Sequence, residues 1–76
     1  MTAINWGDLV RVKATAPAAM RPGEIAEVVG LREVEDEHQS VEFGVPVGER
    51  ICQIEFGDGS DMEIAAIWVE ACELPA

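Results

Sequence analysis

The feature that most constrains this chain is Ile51-Cys52-Gln53-Ile54-Glu55-Phe56, which runs straight into Gly57-Asp58-Gly59-Ser60. Successive side chains of a strand point to opposite faces. Cys52, Ile54 and Phe56 therefore share one face, and Ile51, Gln53 and Glu55 share the other. The glycines that follow tolerate the positive φ of a tight hairpin turn. A half-buried strand ending in a hairpin needs partners on both sides. The Arg21-Pro22-Gly23-Glu24 turn upstream and Ala65-Ala66-Ile67-Trp68-Val69-Glu70 downstream supply them. Together they predict an all-β fold, a small closed barrel.

The remaining elements follow from the same reading. Gly7-Asp8 opens a strand over Leu9 to Lys13, with Val10 and Val12 inward and Arg11 and Lys13 outward. Ala14 to Pro22 shows no alternation, and Pro17 and Pro22 break any helix, so it reads as a loop. Ile25 to Val34 is a second strand, in which Gly30 marks a bulge or sharp bend. Asp36 to Phe43 is open between a short helix and an irregular loop. In the helical reading Asp36 is the cap, Val41 is carried on it and Gly44 is the stop. Val45-Pro46-Val47-Gly48 is an extended linker in either case. After the hairpin, Asp61 to Ile64 is a short strand with Met62 and Ile64 inward. Ala65 to Trp68 suits a single 3-10 turn. Val69 to Cys72 returns as the last strand.

Seventy-six residues make one domain, 1–76. A chain this short buries roughly 60% of the surface its unfolded form exposes, which leaves room for one core and little for a deep cleft. Charge is the strongest functional clue. Fifteen Asp and Glu face five Lys and Arg, a formal net charge of −10. That excludes a basic phosphate-binding footprint for nucleic acid and disfavours anionic lipid. A basic protein partner fits, because opposite fields speed encounter. The plainer reading of the same charge is solubility. From Ile51 onward every charged residue is acidic: Glu55, Asp58, Asp61, Glu63, Glu70 and Glu73. A second acidic run comprises Glu33, Glu35, Asp36 and Glu37.

The start, Met1 to Asp8, lacks the basic and apolar segments of a signal peptide, and no run approaches the ~18 apolar residues of a membrane span. The expected compartment is the cytoplasm, where Cys52 and Cys72 stay free thiols unless their Cβ atoms meet. His38, Cys52 and Cys72 are too dispersed for a structural metal site. Gly57 to Asp61 lacks the full calcium-loop pattern. His38 and Ser40 sit too close together on a polar segment for a buried catalytic relay. Gly57 and Gly59 lie between strands and do not open a helix, so they make no phosphate loop. The expectation is a non-enzymatic chain without cofactor or metal.

Five short strands, a long loop after the first and a 3-10 turn before the last resemble the SH3-like barrel, over roughly Gly7 to Glu73. The proline usual at that turn and the aromatic groove of peptide-binding SH3 domains are absent. Four segments carry a further resemblance: Gly7 to Lys13, Arg21 to Leu31, Ile54 to Ser60, and Glu63-Ile64. This set is similar to small SH3-like immunity proteins of bacterial polymorphic-toxin systems. The resemblance implies a cytoplasmic antidote that covers the substrate channel of a toxin domain, often a basic nuclease. Gly7 to Lys13 with Ile54-Glu55-Phe56 also resembles the SH3-like region of nitrile hydratase β subunits, which implies an accessory subunit of a larger enzyme. The Gly23-to-Val29 pattern is shared with KOW-type barrels, which are usually basic.

These readings converge on a binding module. Its acidic face would draw on Glu33, Glu35, Asp36 and Glu37 and on Asp58, Asp61 and Glu63, with Trp6 as an apolar anchor. Trp68 is expected in or near the core. Self-association through an exposed strand edge is the competing role.

Overall fold

The computed structural model describes residues 4–72; Met1 to Ala3, Glu73 and the last three residues lie outside it. Five strands form a single antiparallel sheet: β1 (Leu9–Val12), β2 (Ile25–Glu33), β3 (Arg50–Phe56), β4 (Asp61–Ala65) and β5 (Val69–Ala71). Their order across the sheet is β4-β3-β2-β1-β5. Two 3-10 turns (Ala18–Met20 and Ala66–Trp68) and one helix, α1 (Glu37–Phe43), complete the chain. β4 and β5 are the two sheet edges and do not pair with each other. The closed barrel expected from the sequence is thus not closed by hydrogen bonds. The edges are joined along the chain by the Ala66–Trp68 turn, whose Trp68 carbonyl accepts from Lys13 N at 2.8 Å.

β2 organises the sheet. Its first part pairs with β1 (Leu9 opposite Glu27), and from Ala26 to Glu33 it pairs with β3. The register shifts between Val28 and Gly30, which leaves Val29 as the extra residue. An extra residue inverts the side-chain phase. Ala26 and Val28 face the core before the shift, and Leu31 packs against it afterwards. Gly30 is required by crowding. A Cβ there would meet Gln53 Oε1 at 3.2 Å and Gln53 Cβ at 3.3 Å.

The main core lies on one side of the sheet. It contains Val10, Val12, Ala26, Val28, Cys52, Ile54, Phe56, Ile64 and Val69. Burial of such side chains supplies the main stabilisation, about 1.5–3 kcal/mol for each large apolar side chain. A second, smaller cluster of Val34, Val45, Ile51 and Ala65 sits on the opposite face. Ile51 shares the outward side of β3 with Gln53 and Glu55, yet it is fully buried, because the chain folds back over it. Phe43 and Trp68 pack against this second cluster, and Trp68 touches both.

The helical alternative for Asp36 to Phe43 is the one found. Asp36 caps α1 by accepting from Gln39 N at 2.9 Å, and Gly44 ends it at φ 70, donating to the Ser40 carbonyl. Val41 points to solvent. Val45 to Gly48 is not the extended linker expected. Val34 donates to the Glu49 carbonyl and Gly48 donates back to the Val34 carbonyl, so this segment is a turn pinned to the end of β2. The Ala14-to-Pro22 loop contains the first 3-10 turn, which ends at Arg21 with φ 58.

Candidate functional site

The outward positions of the strands fall into rows once the register is known. One row runs Leu9, Glu27, Glu55, Asp61 across β1 to β4. Glu27 stands directly opposite Glu55, and Glu55 directly opposite Asp61. Directly opposed residues on one face have Cβ atoms about 4.5–5.5 Å apart, and like charges in such pairs are destabilising. Asp61 accepts from Gln53 Nε2 at 2.9 Å. Glu27 and Glu55 form no ion pair and accept no side-chain hydrogen bond among the described residues.

Beside this row lies a groove of about 330 Å³. Leu9 and Ile25 give it apolar walls, Glu27 and Glu55 its acidic side, and Gly57 bare backbone, while Phe56 borders it but is only 3% exposed and packs in the core. Ile25 is 38% exposed although its side chain is apolar. It stands opposite Arg11, which also faces Glu70 across β5 and forms no ion pair among the described residues.

Two of the other bases, Arg21 and Arg32, are held in ion pairs. Arg21 forks onto Glu24 (Nε to Oε2 2.8 Å, Nη2 to Oε1 2.6 Å) and reaches Asp58 at 3.2 Å and Ser60 Oγ at 2.6 Å. Its guanidinium carbon lies 3.9 Å from the centre of the Phe56 ring. Hydrogen bonding to Glu24, ahead of Asp58, raises the Arg21 pKa further, so its charge is fixed. The same contact lowers Glu24. Asp58 is lowered to about 2, first by the Ser60 hydroxyl, then by the Ser60 N–H, then by Arg21. Arg32 bonds Glu63 Oε2 at 2.6 Å and Gln39 Oε1 at 3.0 Å, with its guanidinium 5.2 Å from the Phe43 ring centre. Hydrogen bonding to Glu63 raises the Arg32 pKa.

The residues singled out from the sequence therefore divide. Asp58 ties the hairpin to the Arg21 corner, Glu63 is paired with Arg32, and Asp36 caps α1. Glu33, Glu35 and Glu37 are exposed around the start of α1. Trp6 is 73% exposed, just ahead of β1. The Asp58, Asp61 and Glu63 set lies on one hairpin, and Arg32 links its Glu63 to Gln39 of α1. Glu27, Leu9 and Ile25 were not singled out, and Glu55 entered only as part of the acidic C-terminal half. Their alternation was visible, but the register that aligns Glu27 with Glu55 was not.

Cys52 is a buried free thiol, raised in pKa by burial, and Cys72 is a half-buried free thiol. Among the described residues, no group of three or more His, Cys, Asp and Glu could hold a metal ion. No helix among them is long and apolar enough to cross a membrane. No family model matches the chain, and no curated protein or solved structure matches it.

Proposed function

We propose that this protein is a non-enzymatic binding module for a basic protein, acting as an antidote that occludes a toxin domain. The observation that carries the reading is the Glu27–Glu55 pair, two opposed carboxylates without a cation, on a chain of net charge −10. Cross-strand repulsion of this kind is unfavourable in the free protein. A partner's positive charge would relieve it, so binding gains what folding gives up. Arg21 and Arg32 already hold their own carboxylates, Arg11 is the base beside the groove, opposite Ile25, and the chain as a whole carries a net charge of −10. Such a charge steers a basic partner into contact and disfavours acidic ones. The apolar groove wall and exposed Trp6 would then supply the short-range contact.

The test is capture from source lysate at low salt, followed by reconstitution with the purified retained protein. A basic toxin domain whose association rate falls steeply with salt, and whose activity is blocked on binding, is the expected result. Self-association alone, or a metabolic enzyme retained regardless of salt, overturns the reading in favour of an accessory subunit.

A further inference from the structure

We infer that the groove between β1, β2 and β3 is a seat for a single arginine side chain presented by the basic partner. The inference rests on the proposed function and adds the place and the chemistry of recognition. Three features of the groove select the occupant. The first is size. At about 330 Å³ it lies at the small end of ligand pockets, which run from about 300 to 1,000 Å³, and suits a side chain better than a folded element. The second is the wall. Leu9 and Ile25 offer apolar surface, and long cationic side chains lay their methylene stems along such surface while their heads stay polar.

The third feature is the pair of carboxylates. Glu27 and Glu55 come from adjacent strands in direct register and have no cation of their own among the described residues. A guanidinium spreads five donors over a planar fork and can reach both carboxylates at once. An ammonium is a compact point charge and more strongly hydrated, so it loses more on meeting an apolar wall. The geometry thus favours arginine over lysine. The chain itself shows the same combination one corner away: Arg21 lies 3.9 Å over the Phe56 ring while forking onto Glu24 and reaching Asp58. The groove offers two carboxylates beside the apolar side chains of Leu9 and Ile25.

The test uses the intact protein and three capped tripeptides, Gly-Arg-Gly, Gly-Lys-Gly and Gly-citrulline-Gly, titrated while methyl and amide NMR shifts are followed. The arginine peptide should shift Leu9, Ile25 and Ala26 in a saturable way. The lysine peptide should bind more weakly, and the uncharged citrulline peptide should not bind. Glu27→Gln and Glu55→Gln should each weaken the arginine peptide by roughly tenfold or more, as loss of one partner of a close charge pair does. Glu35→Gln with Glu37→Gln, at the start of α1, should leave it unchanged. An unaltered amide spectrum away from the groove establishes that the glutamine variants are folded, and either one alone suffices. Shifts spread evenly over the acidic surface, equal binding of citrulline, or indifference to both glutamine variants overturns the seat. A seat overturned while a captured basic partner still binds in a salt-dependent way leaves the proposed function standing. A peptide that seats normally while no basic partner is captured separates the two in the other direction.

Discussion

The two ends of the sheet's outward face make an instructive pair. At one end Ile51 and Ala65 point away from the main core, and the chain returns to seal them with Val34, Val45 and Phe43. At the other end the same face carries Leu9, Glu27, Glu55 and Asp61, and no element among the described residues covers it. Both ends hold apolar outward residues, Ile51 at the first and Leu9 and Ile25 at the second. They differ in what accompanies them. Around Ile51 the neighbours are apolar, so covering the surface removes only apolar area from water. Around Leu9 they are unpaired carboxylates, whose burial without partners is costly. Among the described residues the chain has its own lid for the first end and none for the second, and the proposed seat lies at the second.

The largest expected effect is at the sealed end. Ile51→Ala removes a fully buried side chain between Val34, Val45 and Ala65. The expected loss is about 2–5 kcal/mol, read as a lower denaturation midpoint with an unchanged slope. On a domain this small that is a large share of the total. Arginine-peptide binding to the molecules that remain folded should be unaltered. A variant that lost binding at Leu9 and Ile25 without unfolding would show that the two ends communicate and would break the contrast.

A smaller effect is expected at the lid's hinge. Asp36→Ala removes the side-chain acceptor that caps α1 through Gln39 N. About 0.5–2 kcal/mol of stability should be lost, the usual range for such a cap. Amide hydrogen exchange should rise first in α1, before the strands respond. Uniform protection across the molecule would mean that the lid does not open separately.

Much of the fold was legible in the chain, and the reasons are local. Alternation located β1, β2 and β3 to within a residue or two, Gly30 marked the bulge region, and Asp36 and Gly44 bracketed the helix. What was not legible depends on contacts distant in sequence. Nothing near Val45 to Gly48 says that Val34 will pair with Gly48 and Glu49 through both its carbonyl and its N–H. Ile51 looked like an exposed residue because its cover comes from elsewhere. The candidate site failed to show for the same reason. Glu27 and Glu55 are 28 positions apart, and only the β2–β3 register, with its shift at Val29, makes them neighbours. Acidic residues clustered in sequence drew attention instead, and several of those, Asp36, Asp58 and Glu63, have structural partners.

The acidic hairpin allows a pH test of that distinction. The Asp58 carboxyl is held at about 2, against an ordinary value near 3.8, chiefly by the Ser60 hydroxyl and N–H and then by Arg21. Between those values the unfolded chain carries more protons at this site than the folded one, so stability rises with pH there. The contribution is present above about pH 4 and disappears as pH falls toward about 2. Asp58→Asn should flatten the acid limb of a stability–pH curve in that window and leave the curve above pH 5 parallel to wild type. Because the group is exposed, solvent screening keeps the effect small. An equal acid limb in the variant would mean that the corner does not hold Asp58 in solution.

The smallest effect has the opposite sign and bears most directly on function. Glu55→Gln removes one of two like charges that face each other in Glu27–Glu55, and it also ends the repulsion with Asp61. Stability should rise by roughly 0.2–1 kcal/mol, the range of cross-strand pair energies. In salt the gain should shrink, because screening already relieves the wild-type repulsion. The same change should weaken the basic partner. A residue kept only for solubility would behave differently, since its loss would leave both stability and binding within error. A residue kept for folding would lower stability when replaced. Higher stability together with weaker binding is expected only where a surface is held in an unfavourable state for a ligand's sake, a trade often met at functional sites. Thermal melts of wild type, Glu27→Gln and Glu55→Gln at low and high salt, set beside their peptide affinities, decide among the three.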